Sequence, residues 1–158
     1  MIFQAYQSTP ASLNIMKEIE AAYLAGFFDG EGFICLRYYI GKRMPKGIKL
    51  ECGLVNTNLE ILVETQTAFG GNISPMNRGV FRQNRPCYQL QFAAKQSYLF
   101  LKTLYPYLKL KRVEADIAFS FQERKDKRKF GERTEEDIAF EEEQRKLIVS
   151  LHGRKQRK

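Results

Sequence analysis

Tyr23-Leu24-Ala25-Gly26-Phe27-Phe28-Asp29-Gly30-Glu31-Gly32 decides how the rest of the chain is read. Apolar and small residues run unbroken from Ala21 to Phe28, and two acids separated by one glycine follow at once. The pattern predicts the last turns of a buried helix. Upstream, Ile15, Ile19, Ala22 and Gly26 fall on one helical stripe. Ala22, Ala25 and Gly26 put almost no side chain on that surface, so a second backbone can approach it closely. Glycine inside a helix costs about 1 kcal/mol against alanine, so Gly26 asks for a packing reason. Gly30 and Gly32 are expected to end the helix in a sharp turn. Asp29 and Glu31 break a local rule, because a helix C-terminus carries partial negative charge and disfavours anions. Such a conflict points to a functional site. A divalent cation held by carboxylate and carbonyl oxygens would resolve it.

The bulk properties bound what surrounds this stretch. With 158 residues, 44% of them hydrophobic, the chain is expected to form a single domain with a real core. Twelve Phe and eight Tyr supply the bulk of that core in the absence of Trp. A net charge of +8 favours a polyanionic partner. Cys35, Cys52 and Cys87 are odd in number and far apart, which fits neither a zinc pattern nor a disulfide framework. His152, near the tail, is the only histidine, which argues against a histidine-based triad. No run reaches membrane-spanning length, and residues 1–20 lack the basic start and apolar core of a secretory signal. The expectation is an intracellular, reduced protein with no membrane partner.

In chain order, residues 1–11 read as irregular, with Pro10 as a boundary and Ser12 or Asn14 as helix cap. From there to Asp29 is about 25 Å of helix. Phe33–Ile40 reads as a strand with Ile34, Leu36 and Tyr38 on one face and Cys35, Arg37 and Tyr39 on the other. A basic turn over 41–47 leads to a second strand, Ile48–Val55, with Lys49, Glu51 and Gly53 opposite an oily face. Asn56-Thr57-Asn58 is a capping cluster for a helix over 59–69, with Leu59, Leu62, Val63 and Phe69 inward. A second hairpin follows, 73–81 and 87–93, with an outward row of Cys87, Gln89 and Gln91. That row is hydrogen-bonding rather than charged, which suits base edges. Lys95–Leu104 is a third helix, and Leu108-Lys109-Leu110-Lys111-Arg112 opens a fourth. Residues 122–133 read as a charged linker, 134–151 as a last helix capped by Thr134, and 152–158 as a basic tail.

Leu24-Ala25-Gly26-Phe27-Phe28-Asp29-Gly30-Glu31-Gly32 closely resembles the defining motif of the LAGLIDADG homing endonuclease family. Phe27 and Phe28 are apolar variants, Gly30 replaces the middle alanine and Glu31 the second aspartate. The resemblance covers about residues 13–121 and is weak beyond them. It implies an α+β fold of order αββαββα: a curved antiparallel sheet, a saddle with helices on one face, plus C-terminal helices. One copy of the motif implies a homodimer whose motif helices pair across a two-fold axis, with Ala22, Ala25 and Gly26 at the interface.

The activity this implies is a double-strand cut in a long pseudo-palindromic site on double-stranded DNA, by divalent-metal-dependent hydrolysis, in an enzyme encoded in an intron or intein. Glu31 and the Gly30 carbonyl would hold Mg²⁺, with Mn²⁺ or Ca²⁺ as alternative occupants. Lys111 matches the second lysine of the family stretch near the scissile phosphate. Asn56 falls where the family has a Gln or Asn ordering water, and is equally explained as a helix cap. Asp29 is expected to be structural. Base and phosphate contacts are expected from Arg37, Tyr39, Lys49, Glu51, Gln89 and Gln91 on the sheet. Arg43, Lys46, Arg78, Arg82 and Arg85 on loops join them. The same scaffold also serves intron RNA maturases, which makes intron RNA a candidate partner, and non-cleaving DNA-binding regulators. A basic RNA-binding protein that imitates the motif ranks last, because no RNP-like aromatic motif appears on a predicted strand.

Overall fold

The computed structural model describes residues 10–40, 47–76, 86–129 and 132–153. Helix α1 spans Pro10–Glu31 and runs straight into strand β1, Gly32–Tyr39. Strand β2 is Gly47–Asn56, helix α2 Leu59–Phe69, strand β3 Asn72–Pro75 and strand β4 Tyr88–Ala93. Helix α3, Lys95–Leu104, is followed by a 3-10 turn at Tyr105–Tyr107, then helices α4, Arg112–Lys127, and α5, Glu135–Leu151. The expected order αββαββα with C-terminal helices is present. The four strands form one antiparallel sheet in the order β1-β2-β4-β3.

Alternation along the strands sorts the two faces. Ile34 and Leu36 of β1, Ile48, Leu50, Cys52 and Leu54 of β2, and Leu90 and Phe92 of β4 are buried on the helix side. Phe100 of α3 sits at the centre of an aromatic cluster there. Its ring stacks on Phe92 at 4.3 Å and meets Phe28 and Phe69 edge-on at 5.5 and 5.1 Å. The motif helix is therefore anchored to the sheet through Phe28, with Leu24 and Ala25 on the same buried side. Burial also pushes the Cys52 thiol up from its ordinary value, which makes it an inert core residue.

Several local boundaries differ from expectation. Helix α1 begins at the expected boundary, Pro10, whose missing N–H is not needed there, so Ser12 and Asn14 lie inside the helix rather than at its cap. Gly30 and Gly32 make no left-handed turn, since the glycines with positive φ are Gly70, Gly71 and Gly153. Gly32 is instead demanded by contact, because a Cβ there would lie 2.4 Å from the Phe28 ring. In α2 the inward residues are Leu62 and Thr65, with Phe69 partly buried, while Leu59 and Val63 are 39% and 44% exposed.

The first half of the charged linker expected over 122–133 is helix, because α4 continues to Lys127. Polar partners do there what apolar residues do elsewhere. Arg124 pairs with Asp137 at 2.9 Å, and Arg128 and Arg133 pair with Glu141 at 3.0 and 2.6 Å. Thr134 and Asp137 complete a capping box at the start of α5. Helix α5 is tied to β1 by Tyr38, which donates to Glu142 at 2.6 Å and lies under the Arg145 guanidinium.

Candidate active site and DNA-facing surface

The two motif acids have different fates. Asp29 is 8% exposed, and its carboxylate accepts three backbone N–H groups: Lys109 at 2.8 Å, Leu110 at 3.2 Å and Lys111 at 3.0 Å. The Lys111 ammonium returns to the Asp29 carbonyl at 2.6 Å. A cation donating to a carbonyl in the last turn of a helix offsets the negative end of its dipole. Lys111 is also the N-terminal cap position of α4 and has no side-chain cap of its own. Asp29 thus closes the C-terminus of α1 and organises the entrance to α4 at once. The conflict between Asp29 and the helix dipole is resolved within the chain, by three amides and the Lys111 ammonium.

Glu31 is exposed and makes no ion pair or hydrogen bond with another described residue. Nothing stands within 4 Å of where a Gly30 Cβ would be, so the backbone on that side is open to approach. Asn56 is at the same end of the sheet, since Gly32 of β1 pairs with Leu54 of β2, two residues before Asn56. The helix cap is Asn58, whose side chain accepts from the Glu60 and Ile61 amides. Asn56 accepts only from the Asn58 amide through Oδ1, at 2.8 Å, which leaves its NH₂ group available.

The sheet face away from the helices carries Arg37, Lys49, Glu51, Gln89 and Gln91. Arg37 and Lys49 stand directly opposite each other across β1 and β2. Glu51 lies between them, 3.0 Å from Arg37 Nε and 2.7 Å from Lys49 Nζ. Its side chain is 3% exposed, against 61% for Arg37 and 38% for Lys49. Glu51 is therefore not the free contact expected of an outward residue, because its two neighbours cover it. Gln89 donates to Gln91 at 3.4 Å, and both are half-buried. Tyr39 lies across Gly47 and under the Lys125 ammonium rather than standing free. Arg43, Lys46, Arg78, Arg82 and Arg85 lie outside the described residues.

No family model and no curated protein sequence matches the chain. Solved structures match it over most of its length. The homing endonuclease I-CvuI, in complex with an I-CreI target in the presence of 2 mM Mg with the DNA not cleaved, superposes at TM-score 0.75 and 20% identity. That match covers 92% of this chain and 89% of that one. The archaeal intron-encoded homing endonuclease I-Vdi141I, complexed with DNA, gives 0.61 and 15% over 90% and 87%. The LAGLIDADG homing endonuclease I-SmaMI, bound to cleaved DNA, gives 0.59 and 18% over 83% of this chain and 42% of that one. The chain has the LAGLIDADG homing endonuclease fold.

On this LAGLIDADG scaffold the motif helix has one buried and one open side. Ala25 is fully buried against the chain's own core, which removes it from the expected dimer interface. Ala22 and Gly26 are exposed, together with Ile19 at 57% and Tyr23 at 58%, and nothing stands within 4 Å of a Gly26 Cβ. The open stripe is thus Ile19, Ala22, Tyr23 and Gly26, with spacings of three and four residues. Sequence reasoning also missed Lys125, whose ammonium donates to the Ile48 carbonyl at 2.5 Å and whose pKa burial pushes down. No local pattern signals that contact, because the two residues are 77 positions apart. Among the described residues, no helix is long and apolar enough to cross a membrane.

Proposed function

We propose that two copies of this chain form an intron-encoded, site-specific DNA endonuclease that cuts both strands by divalent-metal-dependent phosphodiester hydrolysis. The observation that carries this reading is the division between the motif acids. Asp29 and Lys111 are locked together, while Glu31 stands exposed and uncommitted beside them. The open stripe on α1 supports pairing of two copies. So does the match to less than half the length of I-SmaMI, which leaves room in that chain for a second such unit.

The donor set fits a shared hard-cation site rather than an enclosed one. Among the described residues no three His, Cys, Asp or Glu side chains converge on a metal position. Glu31 offers a carboxylate and Gly30 an approachable backbone carbonyl, both oxygen donors of the kind Mg²⁺ takes. DNA phosphates, water and the second copy would supply the rest. When bound, such an ion supplies Lewis-acid stabilisation of phosphodiester oxygens. Mn²⁺ or Ca²⁺ can take the same oxygens.

The chain's own groups have separable tasks. Lys111 spends one N–H on the Asp29 carbonyl and keeps two further donors for a phosphate oxygen. The Asn56 NH₂ group is positioned to hold water or a phosphate oxygen. Asp29 fixes Lys111 beside Glu31 by tying residues 109–111 to the end of α1. Arg37, Lys49, Gln89 and Gln91 lie on one face of the three adjacent strands β1, β2 and β4, a surface whose strands can present side chains to a major groove.

The test is a cleavage selection on randomised double-stranded DNA with Mg²⁺, run with wild type and Glu31→Gln. Wild type is expected to recover one long, roughly two-fold-symmetric cut site, and Glu31→Gln to bind that site without cutting. Full cleavage by the variant would overturn the assignment of Glu31. Enrichment of a bound site that wild type never cuts would move the protein to the non-cleaving regulators or the maturases.

A further inference from the structure

The DNA-facing sheet carries a buried carboxylate that no solvated surface needs. Glu51 has the position of an outward residue, in register with Cys35 of β1 and two residues from Lys49 on its own strand. Yet it is 2% exposed, roofed by a guanidinium and an ammonium. Removing a carboxylate from water is unfavourable unless cations compensate it, and here two do. Oε1 is taken up by Lys49 at 2.7 Å. Oε2 forms an ion pair with Arg37 at 3.0 Å, and the neighbouring Cys35 side chain is a second contact for that guanidinium. The outer parts of Arg37 and Lys49 remain exposed.

We propose that Glu51 is a positioning residue for sequence readout, holding Arg37 and Lys49 in fixed directions toward adjacent base edges while cancelling one of their two charges. Two long cationic side chains on an open sheet would otherwise sample many rotamers and settle on any nearby phosphate. Phosphate contacts carry affinity but no sequence information, whereas a directed guanidinium or ammonium can read guanine O6 and N7. The carboxylate exchanges some non-specific affinity for direction. This inference rests on the DNA-binding reading above and adds that specificity depends on a residue that touches no base itself.

The experiment compares sequence preference and salt dependence for wild type, Glu51→Gln, Arg37→Met and the double variant, by binding selection from randomised duplex DNA without cleavage. Glu51→Gln is expected to lose on the order of ten-fold preference at the base pairs read by Arg37 and Lys49. Its affinity for unrelated DNA should rise, with a salt slope steeper by about one phosphate contact per copy. At the base pair read by Arg37, the double variant should lose no more than Arg37→Met alone, because Glu51 acts there through Arg37. Arg37→Met leaves Lys49 on Glu51, and the double variant removes the buried charge together with its Arg37 partner, so preference can be read even if Glu51→Gln alone weakens the fold. An unchanged preference profile and salt slope in Glu51→Gln would overturn this inference and leave the DNA-binding reading standing. Failure of wild type to enrich any sequence would overturn both.

Discussion

Replacing Asp29 tests whether one carboxylate holds the end of α1 and the start of α4 together. Oδ2 accepts two amides and Oδ1 one, all from residues 109–111. In Asp29→Ala all three N–H groups lose their acceptor. Hydrogen bonds to a charged group contribute about 1.5–3 kcal/mol each. Lys109 and Leu110 are exposed, so water takes over part of the loss. The net cost should be about 3 kcal/mol, or roughly 6–12 °C in Tm for a chain of this size. Asp29→Asn keeps one oxygen for two amides but turns its NH₂ group toward the third donor, so it should cost about 1–2 kcal/mol. Urea denaturation of both variants gives these values. DNA cleavage should fall more than stability alone explains, because the Lys111 ammonium is positioned by the same contacts. An Asp29→Ala protein within about 0.5 kcal/mol of wild type, the range of an ordinary surface substitution, would refute the capping role.

Gly26→Leu should leave the single chain at least as stable, since nothing lies within 4 Å of the new Cβ and leucine is the better helix former. It should abolish self-association, as read by sedimentation velocity; a persistent dimer would move the interface elsewhere. Gly53→Ala should cost about 2–3 kcal/mol, because its Cβ would lie 2.0 Å from the Leu90 backbone carbonyl oxygen, an atom that cannot swing away. Denaturant titration checks this, and a neutral result would deny the close approach of β2 and β4. Asp137 is held down to about 2 from an ordinary 3.8, chiefly by the hydrogen bond from Arg124 and then by the Thr134 amide. A depressed carboxyl stabilises the fold above its unfolded value and loses that effect as pH falls toward 2. Wild type should therefore lose stability more steeply than Asp137→Asn between about pH 4 and 2, and parallel curves would argue against the pair.

The sequence by itself determined the helix that ends in two acids, the order αββαββα and the division of each strand into an oily and a polar face. These rest on local periodicity: side chains two apart share a strand face, and side chains three or four apart share a helix face. Helix α3 is legible for the same reason, and the Thr134 cap is legible from its residue type just before an acidic first turn. Tertiary structure decided the rest. Asp29 finds its amides 80 to 82 residues away, and Tyr38 finds Glu142 104 residues away. Ala25, in the same small-residue run as Ala22 and Gly26, turned out to face the core because Phe28 and Leu24 orient the helix on the sheet. Glu51 obeys the outward alternation and is nevertheless buried, because its cover comes from Arg37 of β1 and Lys49 of its own strand. Residues 122–127 lack apolar signal and are helical because the arginines of residues 124–133 meet the acids of α5. Periodicity records which face a side chain is on, whereas the partner that covers, caps or neutralises it there is set by whichever distant segment the fold brings alongside.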